Sequence, residues 1–188
     1  MTKMADLYMA LMHHPVTNKE GKVVTTSVTN MDLHDLARNG RTFGVKHCFI
    51  VTPTEAQINM VNYLKEYWHE GPGASYNPDR KEAFNIIEAR ANIEETCLTI
   101  ENLSGSKPTL VTTSAKRHEN SVGYDFIQGL LGEDKPILLL FGTGFGLTSE
   151  FVDTTDYILE PIHGAGDYNH LPVRSAVAII LDRLVSRV

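Results

Sequence analysis

Cysteine is scarce in this chain. Cys48 and Cys97 are the only two in 188 residues, and they form no Cys-x-x-Cys pair. That excludes a disulfide framework and a thiolate zinc knuckle. Cys48 lies in the apolar run His47-Cys48-Phe49-Ile50-Val51 and reads as a buried strand cysteine. Histidine is more frequent, at 13, 14, 34, 47, 69, 118, 163 and 170. No two of these have the helical spacing of a zinc enzyme, so no metal is expected.

Basic charge is also short. Lys and Arg number 17 against 23 Asp and Glu, a formal net charge of −6. The field of the whole chain repels nucleic acid, so a nucleic-acid partner would need a local basic patch, completed by a second subunit. No apolar stretch approaches the ~20 residues of a membrane span. The first residues lack a basic start followed by a long apolar run. The expectation is a cytoplasmic protein that does not enter membranes. Repeats, low-complexity tracts and Pro/Ser-rich linkers are missing as well, so residues 1–188 read as one domain.

What is present suits a soluble α/β domain, with 42% hydrophobic and 21% charged residues. Apolar runs at 7–12, 46–52, 109–113, 137–141 and 157–162 predict strands, and 23–28 is extended. Thr29 or Asn30 is a candidate cap for a helix reaching about residue 42. Further helices are predicted at 54–70, 93–103, 122–131 and 171–188, with a short one beginning at Thr148. Residues 83–89 fit strand or helix equally. Near-continuous apolar strands alternating with helices mark a mostly parallel sheet with helices on both faces.

Three segments stand out. In the first, Ile137-Leu138-Leu139-Leu140-Phe141 runs into Gly142-Thr143-Gly144-Phe145-Gly146 and then a helix start. Glycines there let backbone approach a ligand, at the strand end where α/β sheets bind. The spacing is Gly-x-Gly-x-Gly, and too little chain follows for a dinucleotide fold. In the second, 159–172, a strand ends in the polar loop around Gly166-Asp167-Tyr168 before Leu171-Pro172 opens a helix. In the third, 30–45, Asp32, His34, Asp35, Arg38 and Arg41 crowd one helix. Asp35 and Arg38 stand three apart, so a surface ion pair is one account of them.

These segments resemble, in order, the motifs of the SPOUT methyltransferases. Arg38 precedes Gly44-Val45 by six residues, as the arginine of the SpoU-type first motif does; the family's asparagine six before it is Asp32 here, with Asn30 nearby. Gly142, Gly146 and Leu147 are similar to the second motif, without its acidic residue, near whose place stands Gly144. Leu171-Pro172-Val173-Arg174 departs from the SpoU third motif, and Gly166-Asp167-Tyr168 is closer to the branch that methylates N1 of guanine in tRNA. The Phe-Gly-Thr-Gly-Phe-Gly-Leu run and His13-His14-Pro15 are similar to a compact bacterial family of predicted RNA methyltransferases.

The resemblance implies a C-terminal deep trefoil knot, a homodimer, and S-adenosylmethionine as cofactor, with tRNA or rRNA as substrate. Thr112, Leu140, Phe141, Gly142, Gly144, Gly146, Ile162, Gly166, Tyr168 and Leu171 are the candidate cofactor residues. Arg38 would orient a phosphate or stabilise charge. Asp167 would act as base or face the cofactor's positive end. Arg38, Arg41, Lys116, Arg117 and Arg174 are the candidate RNA contacts. The C-terminal helix carries Val177, Ile180, Leu181, Leu184, Val185 and Val188 as an apolar stripe widened by Ile179, which predicts a second neighbour. Two other classes stay open: a knotted module that binds the cofactor without turnover, and another nucleotide-binding α/β enzyme.

Overall fold

The computed structural model describes residues 5–185; Val188 of the predicted stripe lies outside them. Seven strands form one sheet in the order β5-β4-β1-β8-β6-β9-β7. They are β1 (Leu7–Met12), β4 (Cys48–Val51), β5 (Ile87–Arg90), β6 (Thr109–Thr113), β7 (Ser121–Val122), β8 (Ile137–Gly142) and β9 (Tyr157–Leu159). All of its pairings are parallel. A separate antiparallel pair joins β2 (Val16–Thr17) to β3 (Val23–Val24).

The apolar runs explain the sheet. In β1, Leu7, Met9 and Leu11 enter one core, whereas Tyr8, Ala10 and Met12 enter the other. In β8, Ile137, Leu139 and Phe141 oppose Leu138 and Leu140 in the same way. Each such side chain contributes about 1.5–3 kcal/mol by leaving water. The larger core lies under α1 (Asn30–Thr42), α2 (Glu55–His69), α4 (Pro78–Phe84), α6 (Tyr124–Leu131) and α8 (Val173–Val185). The smaller one lies under α5 (Ile93–Ser104), with Phe151 of α7 (Ser149–Val152) packed against it. The architecture is therefore the expected mostly parallel sheet with helices on both faces.

Several boundaries differ from expectation. Residues 72–84 hold two short helices, α3 (Pro72–Tyr76) and α4, each with proline in its first turn. Strand, not helix, follows at 87–90. The predicted helix at 122 gives its first residues to the edge strand β7, which pairs with β9. The last strand ends at Leu159, and the last helix starts at Val173, so the loop between them is longer than the sequence pattern suggested.

Candidate active site

Because the sheet is parallel, its strands all end at one edge. There, His13 follows β1, Ser114 follows β6, Thr143 follows β8 and Glu160 follows β9. The order β1-β8-β6-β9 makes these four loops neighbours. Met12 lies beside Gly142, Thr112 beside Leu140 and Thr113 beside Leu159.

The glycine turn is built by its own backbone. Gly146 N donates to Thr143 O at 3.0 Å, and Gly144 and Gly146 sit at φ +60° and +102°. Thr148 caps α7 by accepting from Phe151 N. Leu140 and Phe141 are buried in opposite cores and form the floor of the edge, whereas Gly142 and Gly146 are half-buried and Gly144 is exposed. Thr112 is also buried, and its hydroxyl donates to Thr155 at 3.0 Å. Thr113 stands one step nearer the edge, where its hydroxyl donates to Leu140 O at 2.9 Å.

The segment 162–171 follows β9, one strand beyond β6 from the turn. Among the described residues none of its amides or carbonyls joins a backbone–backbone hydrogen bond. Its one hydrogen bond is from Asn169 Nδ2 to Ala115 O, at 2.9 Å. Ile162 is half-buried; Gly166, Asp167, Tyr168 and Leu171 are exposed. Asp167 has no partner among the described residues. Unpaired backbone groups normally face water or a ligand. An adenosine asks for apolar walls with a few backbone donors and acceptors. Half-buried Ile162, exposed Leu171 and this unpaired backbone are groups of those kinds.

The α1 segment is joined to the same edge by charge. Arg174 Nη1 donates to Asp35 at 3.0 Å and Arg174 Nε lies 3.4 Å from Asp32. Asn39 Nδ2 donates to Arg174 O at 3.3 Å. Thus Asp35 pairs across helices with Arg174 and not along its own helix with Arg38. The reason is packing: α8 lies on α1 and presents Arg174 to two carboxylates one turn apart. Arg41 is likewise taken, by Glu82. Of the five cations expected to meet RNA, Arg38, Lys116 and Arg117 alone lack a carboxylate partner among the described residues.

Arg38 stands exposed between two clefts. One, of about 500 Å³, lies between Arg38, Asp35 and Asn39 on α1 and Pro172, Arg174 and Ser175 at the start of α8. The other, of about 440 Å³, includes Arg41, Asp79 and Glu82. Neither touches the glycine turn, so these clefts fit a polar partner of Arg38 and not the adenosine. Sequence spacing gave no sign of the Arg174 pairs or of the roles of Thr26 and His13 described below, because the partners are far apart in the chain.

Comparison with known proteins agrees with this geometry. A family model described as SAM-dependent RNA methyltransferase matches residues 6–186. An uncharacterized protein of Aquifex aeolicus is 42% identical over 183 residues, covering 97% of this chain and 89% of that one. A tRNA (guanine-N(1)-)-methyltransferase of Oleidesulfovibrio alaskensis is 44% identical over 180 residues, 96% of this chain. This chain spans only 42% of that enzyme's length. The SpoU methyltransferase AviRb of Streptomyces viridochromogenes has a similar fold, with a TM-score of 0.60 at 17% identity, over 98% of this chain and 60% of that one. With the family matched along nearly its whole length, the chain belongs to the S-adenosylmethionine-dependent RNA methyltransferases and has the fold of their SpoU-like members.

Proposed function

We propose that this chain, as a single domain, methylates a structured RNA, tRNA or rRNA, at the edge formed by β6, β8 and β9. The observation that carries this reading is the placement of the glycine turn after β8 and the unpaired backbone of 162–171 after β9, at the same end of the sheet with only β6 between them. S-adenosylmethionine supplies an activated methyl group, so positioning provides much of the rate. Gly142, Gly144, Gly146 and half-buried Ile162, with Leu171, Gly166 and Tyr168, line the place for it; Leu140, Phe141 and Thr112 support them from beneath. Asp167, exposed and unpartnered, is placed to take a proton or face a positive group. The guanine-N1 activity in the name of the Oleidesulfovibrio relative belongs to a protein more than twice as long, and the product assay identifies the atom modified by this chain.

RNA would be met by Arg38, Lys116 and Arg117, whose charge is not neutralised locally. A guanidinium grips phosphate in bidentate fashion. Arg38→Ala is expected to lower methyl transfer about tenfold or more while leaving cofactor affinity within about twofold. Labelled methyl transfer to total RNA, followed by nucleoside identification, tests both the reaction and this variant. Transfer to no RNA by a protein that binds S-adenosylhomocysteine would favour the non-catalytic module.

The reading extends to a trefoil-knotted C-terminal part, a cytoplasmic location and a homodimer with α1 and α8 near its two-fold axis. Val177, Ile180, Leu181 and Leu184 face the core, whereas Ala178, Ile179 and Val185 stay half-exposed. Ala178 lines the Arg38 cleft, and the half-exposed Ile179 beside it is apolar surface that a second copy would cover. Light scattering at micromolar concentration is expected to give twice the mass of one 20.9 kDa chain. A fully active monomer would defeat the dimer.

A further inference from the structure

Residues 13–29 connect β1 to α1, and they also hold the glycine turn from outside. The β2–β3 hairpin lies along it. Thr17 N donates to Gly146 O at 2.9 Å, Phe145 N to Thr17 O at 3.1 Å, and Thr148 N to Pro15 O at 3.3 Å. Val16 is fully buried and bridges Leu147. A Cβ on Gly144 would stand 3.1 Å from Thr17 O, so the strap closes tightly on the turn.

A side-chain relay joins the strap to the turn. His13 Nδ1 lies 2.9 Å from Thr26 Oγ1, Thr26 Oγ1 lies 2.5 Å from Thr143 Oγ1, and Thr143 Oγ1 lies 3.1 Å from Met12 O. Chemistry fixes its direction. A carbonyl only accepts, so Thr143 donates its single proton to Met12 O. Thr26 must then donate to Thr143, and His13 must donate from Nδ1. Burial keeps the ring neutral, so the imidazole is the Nδ1–H tautomer. Its Nε2 is a bare acceptor, buried and without a donor among the described residues. His13 is 1% exposed, and its burial outweighs the opposing pull of nearby Asp32.

We infer that His13 and Thr26 are positioning residues for cofactor binding, holding Thr143 and the glycine turn in the shape that receives the ligand. The inference rests on the reading of that turn as part of the S-adenosylmethionine site. Three glycines in five residues are intrinsically loose, and two of them sit at positive φ. Ordering such a turn before the ligand arrives lowers the cost of binding. None of these strap residues needs to touch the ligand to have this effect.

The test uses the full chain and S-adenosylhomocysteine. Thr26→Val removes the central hydroxyl at nearly constant volume. Calorimetry is expected to show affinity weakened about tenfold. Amides 144–147 should exchange faster with solvent while those of β1 and β8 stay protected, a pattern that general destabilisation would not give. Thr26→Ser should restore both. His13→Asn, whose amide nitrogen can donate in place of Nδ1, should keep most of the affinity, and His13→Leu should not. If Thr26→Val does not fold, Thr143→Ala breaks the same relay at its other end. Unchanged affinity in a folded relay variant overturns the inference. Wild-type protein that binds the ligand without added protection of residues 141–147 overturns the reading of the turn instead.

Discussion

Replacing Gly142 by valine is expected to abolish S-adenosylhomocysteine binding and to lower the melting temperature by about 2–12 °C. The expected temperature shift corresponds to overpacking costs of roughly 1–3 kcal/mol in a domain of this size. The cause is local. A Cβ at Gly142 would stand 2.9 Å from Leu147 N, 3.1 Å from Leu147 Cγ and 3.3 Å from Gly146 C. Two of those atoms are backbone of the turn itself, so no flexible side chain can move aside. Sequence alone predicts that valine here fills space beside a ligand and weakens binding strongly while the fold survives. The structure puts the turn in that space, so stability and binding should fall together. Gly142→Ala should move both in the same direction by a smaller amount. Calorimetric melting and ligand titration of one preparation check this, and a valine variant with both values unchanged would remove Gly142 from the argument.

The same contrast between near and distant neighbours explains how much the sequence revealed. Continuous apolar runs placed β1, β4 and β8 because strands buried on both faces have nothing polar to offer either side, whereas β6 was legible from its β-branched residues. Thr29 was legible as a cap because its hydroxyl acts within one turn, accepting from Asp32 N at 3.2 Å. Pro72 and Pro78 each open a short helix, and Asn77 ends one and caps the next by accepting from Arg80 N at 3.0 Å; nothing in the sequence pattern set these short helices apart. The two-residue strands β2, β3 and β7 have no period to detect. At the site, the glycines and the loop after β9 were visible as composition. The Arg174 pairs to Asp32 and Asp35 were not, because they join residues 142 and 139 apart in the chain. Local spacing instead suggested Asp35 with Arg38. His13 was visible only as part of His-His-Pro, with nothing in the sequence to say that its ring meets Thr26.

Lowering the pH from 7 to 4.5 is expected to destabilise the protein by on the order of 2–3 kcal/mol through His13. Burial pushes this imidazole down from its ordinary 6.5 to about 4, against the smaller opposing pull of Asp32. Between those values the unfolded chain binds a proton that the folded chain refuses. Unfolding then takes up protons, so stability falls as pH falls through the window and is fully present above it. Burial lowers His34 as well, ahead of the repulsion from Arg80, and adds to the loss in the same direction. Glu88 behaves differently. Its bond from His47 and the neighbouring Arg90 outweigh burial and hold it at about 2, so its contribution disappears as pH falls from its ordinary 4.5 toward that value. The two carboxylate and imidazole windows are therefore separable. His13→Asn keeps a donor toward Thr26 but does not titrate. Urea unfolding at half-unit steps should show a shallower loss between pH 6.5 and about 4 in that variant, with the Glu88 loss toward lower pH retained. Equal slopes in the two proteins would mean that His13 is not the buried neutral ring described here. A steeper slope in wild type would tie acid sensitivity to the ring that holds the glycine turn.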